Sequence, residues 1–90
     1  MVVGILQFEL LVHGAESLKD KRRVINSVRD RLHREHQVAV AEVASQDLLN
    51  VAVMGLAAVG NDGKHLAQVL DRITAELRAW PGAELGLTSR

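Results

Sequence analysis

The 90-residue chain contains no cysteine, no tyrosine, one proline, one phenylalanine and one tryptophan. Without cysteine the chain can form neither a disulfide framework nor a thiolate metal site, which excludes the small disulfide-stabilised secreted domains. RNA-recognition motifs stack bases on aromatic side chains of their central strands, so the scarcity of aromatics argues against that mode of RNA binding. We expect a protein of a reducing compartment, the cytoplasm.

The chain also lacks net charge and a hydrophobic run long enough to cross a bilayer. Eleven Lys/Arg residues balance eleven Asp/Glu residues, so no overall field draws the protein to nucleic acid or to an anionic membrane. The apolar segment from Met1 to Val12 is too short to span a membrane, has no basic region ahead of it and contains Gln7 and Glu9. We therefore interpret it as a strand and expect no membrane partner.

The hydrophobic pattern predicts one α+β domain covering residues 1–90. Hydrophobic residues make up 48% of the chain, which at this length is enough for one core but not for two. Residue spacing predicts strands at 2–12, 38–44, 49–59 and 83–88, and helices at 18–36 and from about Leu66 to Trp80. Ser17 is predicted to cap the first helix, and Asn61 or Asp62 the second. This βαββαβ order favours a ferredoxin-like sandwich, a four-stranded antiparallel sheet with two helices on one face.

The most informative charges are four cations at the start of the first helix. Residues 16–36 carry seven Lys/Arg and four Asp/Glu, a balance of +3, and Lys19, Lys21, Arg22 and Arg23 lie in the first two helical turns. Because the amino end of a helix already carries partial positive charge, such a cluster costs stability unless an anion lies nearby. These four residues are therefore predicted to bind RNA phosphates or another anion. The alternative is a solvated helix face whose long side chains cover apolar surface.

A second candidate surface lies on the first strand. Val3, Ile5 and Leu11 alternate with the residues predicted to face the core, so they are expected on the sheet face that the helices leave open. An apolar patch there favours a homodimer or another protein partner. The alternative is an ordinary solvent-facing surface, on which single Val or Ile residues are common.

No pattern predicts catalysis, a cofactor or a metal site. His33 and His36 lie on one side of the first helix, but no third ligand has a recognisable spacing. The sequence contains no nucleophile elbow or phosphate-binding loop, and Glu9, Glu42 and Asp47 are scattered along the chain. We therefore expect a non-enzymatic protein without a metal or cofactor.

The chain resembles the YlxP-like family of small bacterial proteins. The resemblance covers nearly the whole chain and rests on the amino-terminal strand and on residues 17–22 (SLKDKR), 40–43 (VAEV), 46–48 (QDL) and 55–57 (GLA). Leu49 departs from the family, many of whose members have Trp at this position. The resemblance implies a ferredoxin-like fold and a cytosolic protein without assigned activity, whose relatives' genes often lie near those for translation initiation and ribosome maturation factors.

These observations predict a non-enzymatic module that associates with RNA or a ribosomal subunit through the basic start of the first helix. The residues predicted to make this contact are Lys19, Lys21, Arg22 and Arg23. The alternative is a dimeric ligand-sensing or protein-interaction domain that uses the open sheet face.

Overall fold

The computed structural model describes residues 1–90 and consists of one antiparallel sheet with two helices. The elements are β1 (Val2–Val12), α1 (Leu18–His36), β2 (Ala39–Ala44), β3 (Val51–Gly60), α2 (Gly63–Arg78) and β4 (Ala83–Ser89). The strand order across the sheet is β2-β3-β1-β4, and every neighbouring pair is antiparallel. The predicted α+β ferredoxin-like fold with βαββαβ order is confirmed.

Both helices begin at the predicted capping residues. The Ser17 hydroxyl accepts a hydrogen bond from the Asp20 backbone N–H at 3.2 Å, which starts α1 at Leu18. The Asp62 carboxylate accepts hydrogen bonds from the backbone N–H groups of Lys64 at 3.0 Å and His65 at 3.4 Å. These oxygens satisfy amide groups that have no partner within the helix. Helix α2 therefore begins at Gly63, one turn before the predicted apolar pattern starts.

The connection between β2 and β3 is longer than the predicted three-residue turn. It runs from Ser45 to Asn50, so β3 begins at Val51 and not at residue 49. Ser45 has a φ of 63°, in the left-handed region, and its carbonyl accepts a hydrogen bond from the Leu48 N–H at 3.1 Å. This tight turn follows the last residue pair between β2 and β3, Ala44 with Val53. Leu48 and Leu49 are therefore exposed although they are hydrophobic.

The core lies between the sheet and the helices. Alternate residues of the two central strands point inward, among them Phe8, whose predicted core position is confirmed. Fully burying one such large side chain contributes roughly 1.5–3 kcal/mol, so this layer is the main source of stability. The residues of the central strands and the helices that form this hydrophobic core are Leu6, Phe8, Leu10, Ala52, Met54, Leu56, Ala58, Ile25, Val28, Leu32, Leu66, Leu70, Ile73 and Leu77.

Candidate functional site

The amino-terminal two turns of α1 carry three exposed cations, Lys19, Arg22 and Arg23. We call these three residues the basic cluster. None of them lies within ion-pair distance of an acidic side chain, whereas Arg29 and Arg31 on the same helix are paired with neighbouring acids. The basic cluster therefore has its charges free to contact an anion from solution.

Lys21, the fourth predicted anion-binding residue, lies outside this cluster. Its side chain is only 1% exposed, and its Nζ lies 2.8 Å from the Glu42 Oε2 and donates a hydrogen bond to the Ser45 carbonyl at 2.8 Å. A lysine that is buried and already has an anionic partner cannot reach RNA phosphates on the surface. The predicted RNA contact of Lys21 therefore does not fit the structure, in which Lys21 has a structural role.

Helical periodicity explains why Lys21 is buried. Residues spaced by four, three and four positions lie on one side of a helix, and Lys21 begins such a series with Ile25, Val28 and Leu32. The basic cluster projects from the other sides of the helix. The spacing of Lys21 from these three apolar residues is the sequence signal that could have placed it on the buried side.

The partner of Lys21 is held on the inner side of the edge strand β2. Glu42 pairs with Met54 in the sheet, so its side chain points to the helices, and it is 17% exposed. Its Oε2 receives no directed hydrogen bond, so the contact with Lys21 is an ion pair at short range. Glu42 therefore lies on the helix side of the sheet and not on its exposed side. It links β2 to α1.

The predicted open sheet face is apolar across three strands. Val3 is 50% exposed and Ile5 is 60% exposed, while Leu11 is half-buried on the same side. Register places Val3 opposite Val59 and Ile5 opposite Ala57. The outward residues of β1, β2 and β3, which we call the open sheet face, are Val3, Ile5, Gln7, Glu9, Leu11, Ala39, Ala41, Val43, Val51, Val53, Gly55, Ala57 and Val59.

Glu9 is the one charged residue of the open sheet face, and its carboxylate is already engaged. Residues Gly86 and Leu87 of β4 form a bulge opposite Glu9, where the register shifts between Phe8 and Leu10. The Glu9 Oε1 accepts a hydrogen bond from the Leu87 N–H at 3.2 Å. Glu9 thus satisfies a backbone group released by the bulge, and its carboxylate is the single charged group of this surface.

Gly55 flattens the middle of this surface. A Cβ atom at this position would lie 2.9 Å from the Val43 Cγ1, closer than side chains pack. The absence of a side chain therefore lets Val43, at the bulge of β2, lie across β3. A shallow apolar depression remains beside it, lined by Ile5, Ala41 and Ala57 among others.

The two histidines near the end of α1 have separate partners. The Nδ1 of His33 lies 3.0 Å from the Val38 carbonyl, whereas the Nε2 of His36 lies 2.9 Å from the Glu76 Oε1. His33 and His36, which are three residues apart in the sequence, therefore contact different partners. Glu76 could not be associated with His36 from the sequence, since 40 residues separate them.

Neither helix has the length and apolar character needed to cross a membrane. The model of the family described as "Protein of unknown function (DUF503)" matches residues 3–90. The chain is also similar to "Uncharacterized protein YlxP" of Bacillus subtilis (strain 168), with 28% identity over 87 residues that cover 97% of this chain and 95% of that protein.

Proposed function

The chain belongs to DUF503, a family of proteins of unknown function, and we propose that it is a non-enzymatic cytoplasmic module that binds RNA, including RNA of the ribosome, through the basic cluster. The observation that carries this proposal is the grouping of Lys19, Arg22 and Arg23 without acidic partners in the first two turns of α1. The module contacts phosphates, and the core behind α1 keeps the three cations in place.

Electrostatics supports an anionic partner at this position. A cation near the amino end of a helix opposes the helix dipole at a cost of about 0.3–1 kcal/mol at a surface site. Asp20, which is half-buried, is the one acidic residue in the first turn, and its Oδ2 accepts a hydrogen bond from the Glu16 N–H at 3.1 Å. The basic cluster is therefore incompletely compensated within the protein, and a phosphate chain supplies the missing negative charge.

The mode of binding follows from what the surface lacks. The basic cluster has no neighbouring exposed Phe, Tyr or Trp for base stacking, because Phe8 is in the core and Trp80 is covered by Arg31 at 4.8 Å. Contacts to phosphates alone position a protein on RNA without reading its sequence. We therefore expect binding that depends on RNA shape and salt more than on base identity.

Co-sedimentation with ribosomal subunits tests this proposal. The variant Lys19→Ala/Arg22→Ala/Arg23→Ala removes the basic cluster but leaves the buried Lys21 in place. The matched control Lys64→Ala/Arg72→Ala/Arg78→Ala removes the same charge from exposed positions of α2 that have no ion-pair partner. We expect the native protein and the control to sediment with a subunit at low salt and the cluster variant to remain in the supernatant. Equal loss in both variants, or no sedimentation of the native protein, would contradict the proposal.

We propose homodimerisation through the open sheet face as a second candidate function, which the mostly apolar residues of that face favour. Strands about 4.8 Å apart with a rise of about 3.3 Å per residue give roughly 600 Å² when β4 is added to the open sheet face. This addition includes Glu84, which lies opposite Leu11. Two such faces bury roughly 1,200 Å², the lower end of the range for stable complexes. Because the helices lie on the other side of the sheet, a dimer of this kind leaves both basic clusters accessible.

Sedimentation equilibrium over a concentration series tests the dimer. We expect Ile5→Lys to shift the protein to monomer, since it places a cation in the centre of a dry apolar contact. Ala75→Lys adds the same side chain at an exposed position of α2 and serves as the matched control. A native protein that stays monomeric at all concentrations, or equal dissociation by both substitutions, would exclude this surface as the interface.

A further inference from the structure

Three side chains that commonly bind metals meet where the carboxyl ends of the two helices approach each other. Glu35 and His36 lie in the last turn of α1, and Glu76 lies in the last turn of α2. One donor atom from each residue lies within 4.8 Å of the other two. None of the three belongs to the basic cluster or to the open sheet face.

The spacing of these atoms fits a single ion after small side-chain rotations. The His36 Nε2 lies 2.9 Å from the Glu76 Oε1 and 4.0 Å from the Glu35 Oε2. A tetrahedral zinc ion with bonds of about 2.0–2.1 Å holds its ligand atoms about 3.3 Å apart. The observed distances lie on both sides of that value.

Glu76 also has an unsatisfied acceptor. Its Oε2 is fully buried and receives no hydrogen bond, whereas its Oε1 lies next to His36. An unpaired buried carboxylate oxygen is unfavourable, because it has given up water without gaining a donor. A cation bound by both oxygens of this carboxylate would give Oε2 a partner.

The position of the cluster in the fold also favours a cation. The last turn of a helix carries partial negative charge, so a carboxylate there is destabilising unless positive charge lies beside it. Glu35 and Glu76 are both in such positions, on two different helices. Arg31 already pairs with Glu35, whereas the partner of Glu76 is His36. His36 is the third member, and its imidazole binds a metal through a neutral ring nitrogen.

Arg31, which is not one of the three residues of the cluster, orients the Glu35 side chain. The Arg31 Nε donates a hydrogen bond to the Glu35 Oε1 at 3.2 Å, and the Arg31 guanidinium lies over the Trp80 ring at 4.8 Å. This leaves the Glu35 Oε2 on the side of His36. Outer contacts of this kind orient the ligands in many metal sites.

We propose that Glu35, His36 and Glu76 bind one divalent transition-metal ion of the zinc type, with water at the fourth position. One imidazole and two carboxylates suit zinc better than magnesium or calcium, which prefer oxygen ligands alone. The ion links the carboxyl end of α1 to that of α2. The site is therefore a structural link between the helices, independent of the RNA-binding proposal.

Calorimetric titration of the chelator-treated protein with zinc chloride at neutral pH tests this site. We expect one equivalent of zinc to bind, with little heat from magnesium chloride. His36→Gln and Glu76→Gln are each expected to weaken zinc binding at least about tenfold. His65→Gln is the matched control, because His65 is exposed and its side chain makes no hydrogen bond or ion pair.

Nitrogen NMR of the histidine rings provides a readout that does not depend on the folding of a variant. Zinc should shift the Nε2 signal of His36 in the native protein and leave those of His13 and His65 unchanged. Saturable binding with this shift supports the site. No saturable binding, a shift at another histidine, or equal weakening by His65→Gln would overturn it and would leave His36 as the hydrogen-bond partner of Glu76 only.

Discussion

Lys19 and Lys21 are two residues apart in the first turn of α1 and have opposite environments. Lys19 is exposed and has no acidic partner, while Lys21 is 1% exposed and paired with Glu42. Two residues along an α-helix correspond to a rotation of about 200°, so the two side chains leave opposite sides of α1. The side of the helix from which each lysine projects, and not its residue type, therefore distinguishes the candidate RNA contact of Lys19 from the structural ion pair of Lys21.

Positive charges on the two sides of α1 have different effects on the stability of the protein. The cations of the basic cluster cost the isolated helix a small amount of stability that an anion can recover. Lys21 instead links three segments, because its ammonium group reaches Glu42 on β2 and the Ser45 carbonyl after it. We therefore expect substitutions on the two sides of α1 to affect different properties, binding on one side and stability on the other.

The largest expected effect is from Lys21→Ala. Removing one member of a buried ion pair leaves the other charge without a partner, at a cost of about 3–5 kcal/mol. We expect the free energy of unfolding, measured by urea denaturation, to fall by this amount. Lys19→Ala is the control and should change it by less than about 0.5 kcal/mol. Similar values for the two variants would show that Lys21 is not the structural member of the pair.

A smaller effect is expected when both members of the ion pair are replaced together. Lys21→Met/Glu42→Leu substitutes apolar side chains for the buried charges, and such replacements are often neutral or stabilising. The double variant should therefore be more stable than Lys21→Met alone. A double-mutant cycle by urea denaturation measures the coupling, and additive losses from the two single variants would contradict a direct interaction.

The smallest effect on stability is expected from the basic cluster. Lys19→Ala/Arg22→Ala/Arg23→Ala removes cations from the amino end of α1. A cation in the first turn costs about 0.3–1 kcal/mol, and the cost falls off in the second turn, where Arg22 and Arg23 lie. We expect the thermal midpoint of the free protein to be unchanged or slightly raised. A marked decrease would show that the cluster stabilises the fold, as Lys21 does, and would weaken its assignment to RNA.

The elements of the fold could be predicted because local sequence determines them. Alternation in β1 predicted the exposed positions of Val3 and Ile5, and the capping roles of Ser17 and Asp62 follow from their short polar side chains. The boundary of β3 could not be predicted in this way. Leu48 and Leu49 have the hydrophobicity of strand residues, but the left-handed Ser45 takes them into a turn.

The candidate sites were harder to predict because they depend on contacts between distant residues. The spacing of apolar residues in α1 indicates that Lys21 faces the core. Its partner could be identified only from the structure, which places Glu42 on the inner side of β2. The approach of Glu76 to His36 depends on how the two helices pack. Charge counted along the sequence therefore predicted four anion-binding residues in α1, and the burial of Lys21 leaves three of them on the surface.

The most direct test of the RNA-binding proposal is the salt dependence of binding to a single-stranded RNA, measured by fluorescence anisotropy. Each phosphate contact to a single strand adds about 0.7 to the slope of log affinity against log salt. Loss of three contacts in the Lys19→Ala/Arg22→Ala/Arg23→Ala variant should therefore lower the slope by about two units, while the α2 control keeps the native slope. An unchanged slope in the cluster variant would contradict the assignment of RNA binding to this side of α1.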